Sequence, residues 1–488
     1  LKQVLKRNGI FTLLQVLVTG GVYFFLYKYL LDSIGVDLLG VWSLVLVSVA
    51  SARLSELGFA SSVVKFVAKY RAKGNENKAS EITETALVTV FSIILIVSIL
   101  SYYPLQVVLG FLIPQEKVSY ALILLPFALI TLCINTVSGV MMAGLDGCQR
   151  MDIRNVLMMS GILINLGLVI ILLPDFGFIA LAYSQLFQSL FILLTAWVFL
   201  RKELPSFHLM AKWRKNVFLE IWRYSITFQF TSVISMTYEP VTKGLLSYFG
   251  GLPMVGYYEM ANRMVMQIRS LIVSVNRIFV PAVAEIVEID VNRVKLLYLK
   301  TYDMFFSINL LLFGFLIVAV PAISDIWMGD SNQVFIVFSW LLVVGWMINT
   351  FAGSAFFFNQ GAGSLRPNLI AHSLICVLNV TLGLFLGFVF GGFGVVIGWS
   401  LSLVVGSILL LIQYHLFNEI PMAQLIPESG WNTLLLVTFA SSVVFGAIYL
   451  FDLHGANALL VCSVVYAVIV MLGLFMTLIG KRILALLS

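Results

Sequence analysis

Ten of the charged residues within or beside long apolar stretches of the sequence stand out: Lys28, Asp32, Arg53, Glu56, Glu239, Lys243, Glu259, Arg263, Arg269 and Arg277. A charge at the centre of a lipid-facing helix costs about 2.5–3.5 kcal/mol on insertion scales, so such groups face a cavity or one another. Six of the ten are cations and four are acids. Lys28 with Asp32, Glu239 with Lys243 and Glu259 with Arg263 stand at i,i+4, and Arg53 with Glu56 at i,i+3, the separations at which helix side chains meet. This pairing uses all four acids and leaves Arg269 and Arg277 over. Glu259, Arg263 and Arg277 share one helical stripe, whereas Arg269 points elsewhere.

The chemistry open to such a set is the capture of an anion, because guanidinium groups present forked donors that match phosphate oxygens. Arg53, Lys243, Arg263 and Arg269 are the leading candidates for substrate binding. Lys28 and Arg277 are further candidates whose competing role is snorkelling to a membrane face. Glu56 and Glu239 are candidates for ion coupling, since a carboxylate that loses its cationic partner to substrate can take up a proton or Na⁺. Permanent ion pairing is the competing reading for both.

The elements that position these residues follow from composition. Of 488 residues, 61% are hydrophobic and 11% charged, whereas a water-soluble domain carries roughly a quarter charged. The solvent is a bilayer. About fourteen stretches are long and apolar enough to cross about 30 Å of hydrocarbon as helix: 9–31, 39–58, 86–105, 120–142, 156–173, 178–200, 219–246, 255–278, 305–323, 334–355, 369–390, 395–416, 434–450 and 458–479. The expected fold is an all-α polytopic membrane protein, because a barrel would need short alternating strands.

Basic residues cluster at the start, after spans two, four, six, eight and ten, and at the end: Lys2, Lys6 and Arg7; Lys65, Lys69, Arg71, Lys73 and Lys78; Arg150 and Arg154; Arg201, Lys202, Lys212, Arg214 and Lys215; Arg293, Lys295 and Lys300; Arg366; Lys481 and Arg482. The intervening connections carry Lys117 and acids such as Asp37, Asp175, Asp325 and Asp330. Lys and Arg are retained on the cytoplasmic side, so both termini are expected inside. The net charge of +6 then reflects topology and contact with anionic lipid and is no nucleic-acid signal. The first apolar run is too long for a signal peptide and lacks a small-residue cleavage site, so it is expected to stay. Cys133, Cys148, Cys376 and Cys462 form no C-x-x-C and keep no company with His208, His372, His415 or His454, which argues for neither a metal site nor a disulfide framework. No cofactor is expected.

The chain repeats itself weakly at an offset of about 215 residues, the pattern of a transporter built from duplicated helix groups. The stretch from Lys28 to Gly35 answers that from Lys243 to Gly250; Gly40 and Trp42 answer Gly256 and Tyr258. Arg53 answers Arg269, Asn135 answers Asn349, Asn165 answers Asn379, and Phe176-Gly177 answers Phe393-Gly394. Each half begins at a cytoplasmic end, so the halves are expected to be related by a pseudo-two-fold along the membrane normal, with a binding cavity near mid-membrane. The expected divisions are an N-terminal six-helix half over 1–205, a C-terminal half over 206–420 and an added helix pair over 421–488. The four asparagines read as interhelical packing, Pro240 as a bend, and 63–73 as a stretch lying on the inner leaflet.

Two six-helix halves, the Gly-x-Trp at Gly40 to Trp42, the basic stretch from Lys65 to Lys78 and the Phe-Gly-x-x-x-Gly-Trp-Ser from Phe393 to Ser400 together resemble the polysaccharide transporter branch of the multidrug/oligosaccharidyl-lipid/polysaccharide (MOP) exporter superfamily, the O-antigen-type flippases. The likeness covers nearly the whole chain, and fourteen spans leave room for the related lipid II flippases. The resemblance implies movement of an undecaprenyl-diphosphate-linked oligosaccharide between leaflets of the bacterial inner membrane, with polysaccharide polymerases and other assembly proteins as partners. A diphosphate would also account for the cation excess.

Two other classes compete. A membrane-embedded polysaccharide polymerase or ligase would carry a sizeable outer loop with catalytic Arg or His, whereas the longest outer connection here lies near 102–118. An ion-coupled multidrug exporter of the same superfamily would favour a cavity dominated by acids. No H-E-x-x-H, Ser/His/Asp set or phosphate loop ending in Gly-Lys-Ser/Thr appears, which argues against hydrolysis and ATP-driven transport by this chain. A repeated re-entrant filter sequence, the mark of a channel, is absent.

Overall fold

A backbone that must satisfy its own hydrogen bonds in hydrocarbon forms helices. Helices and short 3₁₀ turns are the regular elements of the computed structural model, which describes residues 2–50, 59–208, 213–277, 279–287 and 291–487. The chain divides into two compact units, Leu1–Gly256 and Tyr257–Ser488. In the first lie α1 (Lys2–Ala50), α2 (Phe59–Ala72), α3 (Glu76–Leu112), α4 (Gln115–Gly147), α5 (Met151–Phe176), α6 (Ala180–Glu203), α7 (Lys215–Met236) and the start of α8 (Tyr238–Asn276). The second holds the rest of α8 and α9 (Phe279–Ile286), α10 (Val291–Met328), α11 (Gln333–Phe351), α12 (Gly353–Gly361), α13 (Arg366–Phe417), α14 (Glu428–Leu450) and α15 (Gly455–Leu487).

Nine stretches among the described residues are long and apolar enough to cross a bilayer. The longest, Met151–Glu203, would measure about 80 Å as one straight helix against about 30 Å of hydrocarbon. It turns at Gly177, whose φ is 56°. Leu14–Val49 and Arg366–Phe417 are interrupted in the same way by Gly35 (φ 76°) and Gly391 (φ 60°). The nine stretches therefore hold more than nine crossings. The protein is a multi-pass, all-helical membrane protein.

The breaks also carry the internal repeat. Gly35 (φ 76°, ψ 168°) and Gly251 (φ 75°, ψ 178°) adopt one conformation, and Gly177 (φ 56°, ψ −142°) and Gly391 (φ 60°, ψ −143°) another. Only glycine enters these regions without strain. The matches read from sequence were shifted: Gly35 corresponds to Gly251 rather than Gly250, and Gly177 to Gly391 rather than Gly394. Each target lies in a glycine-rich run, where sequence offers several partners and backbone dihedrals select one.

In unit 1 the core joins α2, α3, α4, α6 and the start of α7 through Val63, Val67, Ile82, Met141, Leu200 and Ile221. All of the stretch 63–73 but Lys73 falls in α2, a helix whose apolar face is buried in this core while Lys65 and Lys69 are exposed. Its hydrophobic side thus packs on protein rather than lying on the leaflet. The reason is period: Val63, Phe66, Val67 and Tyr70 follow the 3.6-residue spacing of one helical stripe. In unit 2, Tyr298, Tyr302, Phe358 and Tyr414 centre one core. The added helix pair is fastened to α10 by a second, where Val318 meets Ala440, Val444 and Cys462 and Tyr466 OH donates to Leu311 O at 2.9 Å. The outward faces of α14 and α15 expose Leu435, Phe439 and Met471, as lipid contact requires.

Pro240 acts one turn upstream. α7 ends at Met236 and α8 begins at Tyr238, because the proline ring clashes with the carbonyl four residues back.

Candidate functional site

The charged pairs read from spacing form. In unit 1, Lys28 Nζ donates to Asp32 Oδ1 at 2.9 Å, with the lysine partly buried and the aspartate exposed. Lys243 Nζ lies 3.5 Å from Glu239 Oε2. The lysine is buried and the glutamate side chain is 40% exposed, so the carboxylate is the more accessible member of the pair. In unit 2, Arg263 Nε donates to Glu259 Oε1 at 2.7 Å; here Glu259 is buried and the arginine half-exposed. Arg53 and Glu56 lie outside the described residues.

Arg269 behaves differently. Its guanidinium carbon sits 4.5 Å from the centroid of the Trp346 ring, and its Nε is buried with no hydrogen-bond acceptor. Among the described residues it forms no ion pair. Stacking on an aromatic face offsets part of the cost of burying a guanidinium but supplies no counter-charge. Arg277, exposed and just past the end of α8, is close enough to act electrostatically on Arg269, and so is Arg269 on His372. Arg269 is thus an interior cation with other positive charge about it and donors left to give.

Trp346 and His372 were not singled out by sequence. Trp346 packs edge-on against Trp399 at 5.8 Å and His372 edge-on against Phe356 at 5.5 Å, so each is fixed by an aromatic neighbour. The available signal was their place near the duplicated Asn349 and in the following helix, but tryptophan and histidine on apolar helices are usually packing residues. Of the asparagines, Asn349 Nδ2 donates to Ser407 Oγ at 3.0 Å, bridging α11 and α13 as interhelical packing.

A second charged group occupies one end of unit 1. Arg71 donates to Glu203 Oε2 at 2.9 Å and to Cys148 O at 2.8 Å. Arg150 bonds the other Glu203 oxygen, and Arg154 bonds Asp146. Nearby, buried Glu84 accepts from the His208 backbone N–H at 3.0 Å and from Arg214 at 3.3 Å, and Tyr70 OH donates to Glu220 at 2.7 Å, which raises the phenol's pKa. Arg71, Arg150, Arg154 and Arg214, from the connections following spans two, four and six, lie there, and each is paired with a local acid, so this cluster is a clasp between connections rather than an anion site.

Comparison with known proteins places the arrangement. A family model described as polysaccharide biosynthesis protein matches residues 5–287, more than half of the chain. No relative among curated proteins matches. Among solved structures, the lipid II flippase MurJ in an inward closed conformation is similar at a TM-score of 0.72 and 15% identity, over 96% of this chain and 100% of that one. An inward-facing multidrug resistance MATE family transporter is similar at 0.70 and 16%, over 83% and 94%. A MOP superfamily transporter from Pyrococcus furiosus is similar at 0.62 and 16%, over 86% and 96%. At these identities the structures establish the fold. The chain belongs to the polysaccharide biosynthesis protein family, and it carries the fold of the MOP transporters and flippases, as its resemblance to the polysaccharide transporter branch implied.

Proposed function

We propose that this protein is a flippase that moves an undecaprenyl-diphosphate-linked oligosaccharide from the cytoplasmic to the outer leaflet of the bacterial inner membrane, by alternating access through a cationic cavity. Fourteen spans with both termini in the cytoplasm, divided as 1–205, 206–420 and 421–488, complete this reading. The observation that carries it is Arg269: a buried guanidinium with no acid partner among the described residues, in a chain of the polysaccharide biosynthesis family. A diphosphate cannot cross hydrocarbon alone, and a fork of donors in a low-dielectric site supplies both charge and geometry. The prenyl chain stays in the bilayer while headgroup and sugars pass. Arg263, Lys243 and Arg53 contribute further positive charge, with Lys28 and Arg277 nearer the membrane faces.

Glu239 and Glu56 serve ion coupling in this scheme. When the diphosphate draws Lys243 away, the Glu239 carboxylate, already half-exposed, takes up a proton or Na⁺. Transport unaffected by collapse of both gradients removes that role.

Multidrug export, the competing transport reading, would leave interior acids free to receive cations. Glu259 and Glu239 are both engaged by cations, and Arg269 is the group left over. In cells, Arg269→Ala is expected to abolish glycan export at normal protein levels. Unimpaired export overturns the assignment.

A further inference from the structure

A cavity of about 1060 Å³ opens in unit 2 between the early turns of α10, the 421–427 connection, the start of α14 and α15. Its polar wall is organised round Asp303. Ser429 Oγ donates to Asp303 Oδ1, the Ser307 and Ser429 hydroxyls meet at 3.2 Å, and Thr433 Oγ1 reaches Ser307 Oγ at 3.2 Å. Among the described residues, Asp303 has this one hydroxyl as its side-chain partner, and its Oδ2 accepts no hydrogen bond. Glu428 brings a second carboxylate, and among the described residues no Lys, Arg or His lines the space. Leu299, Leu436 and Leu474 make an apolar wall.

A carboxylate on an apolar helix ordinarily pairs with a cation, and Asp303 has none among the described residues. Two negative charges without a positive one repel a phosphate and attract a cation. A bare metal ion does not answer the site, because only two carboxylates line a space many times an ion's size and no set of three metal donors occurs among the described residues. The apolar wall asks for a ligand that also carries hydrocarbon. Depth fits the same description: Asp303 follows Arg293, Lys295 and Lys300 on α10, and basic residues at a helix end mark the headgroup level.

We propose that this cavity binds the headgroup of an ethanolamine phospholipid. The primary ammonium has three N–H donors for Asp303 Oδ2 and the Glu428 carboxylate, and the first carbons of the chains lie against Leu436 and Leu474. The lipid phosphate lies toward Lys300, exposed and one turn before Asp303 on the same helix. A choline headgroup keeps the charge but has no N–H to give, and a glycerol headgroup has no cation at all.

Native mass spectrometry of the detergent-purified full-length chain, titrated separately with dioleoyl phosphatidylethanolamine, phosphatidylcholine and phosphatidylglycerol, tests this. The expected result is ethanolamine-lipid binding about tenfold tighter than either other lipid, falling to parity in Asp303→Asn/Glu428→Gln at an unchanged melting midpoint. Equal binding of the three lipids to the wild type overturns the proposal. A preference for phosphatidylglycerol, or a preference that survives in the folded double variant, also overturns it. Should the double variant fail to fold, the wild-type lipid series decides alone.

Discussion

Gly40 and Gly256 are two-fold images of one contact. A Cβ placed on Gly40 would lie 2.3 Å from Leu252 O, and one placed on Gly256 would lie 2.4 Å from Val36 O. The glycines are 216 residues apart, and so are the two carbonyl residues. Residue i meeting j while i′ meets j′ in return is the signature of a two-fold. Duplication of one helix group therefore left a reciprocal backbone-to-backbone contact just beyond the left-handed glycines Gly35 and Gly251.

Gly40→Ala and Gly256→Ala are each expected to destabilise the protein by about 1–3 kcal/mol, because backbone rather than a movable side chain stands in the way. Gly21→Ala, where a Cβ meets nothing within 4 Å, is the control and should be neutral or stabilising. Thermal unfolding in detergent reads all three; equal midpoints for Gly40→Ala and Gly21→Ala contradict the contact.

Arg269→Met is expected to raise the unfolding midpoint while abolishing transport. Burying an unpaired guanidinium costs several kcal/mol, of which the Trp346 stack returns about 2, so an apolar side chain of similar length gains on the order of 1–3 kcal/mol. Arg269→Lys keeps the charge and loses the fork, and should retain a reduced rate. A stabilised variant with full transport would separate Arg269 from function.

Glu203→Gln removes the acceptor shared by Arg71 and Arg150 and should destabilise unit 1 by about 1–3 kcal/mol. In a double-mutant cycle, Arg71→Met should then cost less in the Glu203→Gln background than in the wild type. Additive effects within experimental error argue against the clasp.

Cys148, just beyond α4, is held in the thiol form: burial outweighs the Arg71 charge and pushes its pKa up to about 11. Because the thiolate is the nucleophile, iodoacetamide labelling of a variant with Cys148 as the single cysteine should be slow at pH 8 and accelerate as pH rises toward 11. Rapid labelling at pH 8 contradicts the buried environment.

The helical membrane fold was legible because apolar runs of membrane length have one solution in lipid, and the i,i+4 ion pairs because helix spacing is fixed. Register was harder. Gly250 and Gly251, or Gly391, Gly392 and Gly394, are interchangeable as letters and differ only in φ/ψ. The surplus of Arg269 could be counted from sequence, but its Trp346 platform could not, because the two come from segments some 77 residues apart and tryptophan gives no chemical sign of what it stacks on. Glu84 and Glu203 were passed over for the opposite reason: acids close to basic loops look solvated until packing buries them. The Asp303 cavity depends on the 421–427 connection folding against α10, which periodicity does not report.

The most direct test of the central claim is translocation of a fluorescent undecaprenyl-diphosphate oligosaccharide in proteoliposomes, comparing the wild-type protein with Arg269→Ala. Accelerated leaflet exchange that the substitution removes is the predicted result. No exchange by verified folded protein under any ion gradient, or exchange indifferent to the loss of Arg269, contradicts a flippase with a cationic headgroup site.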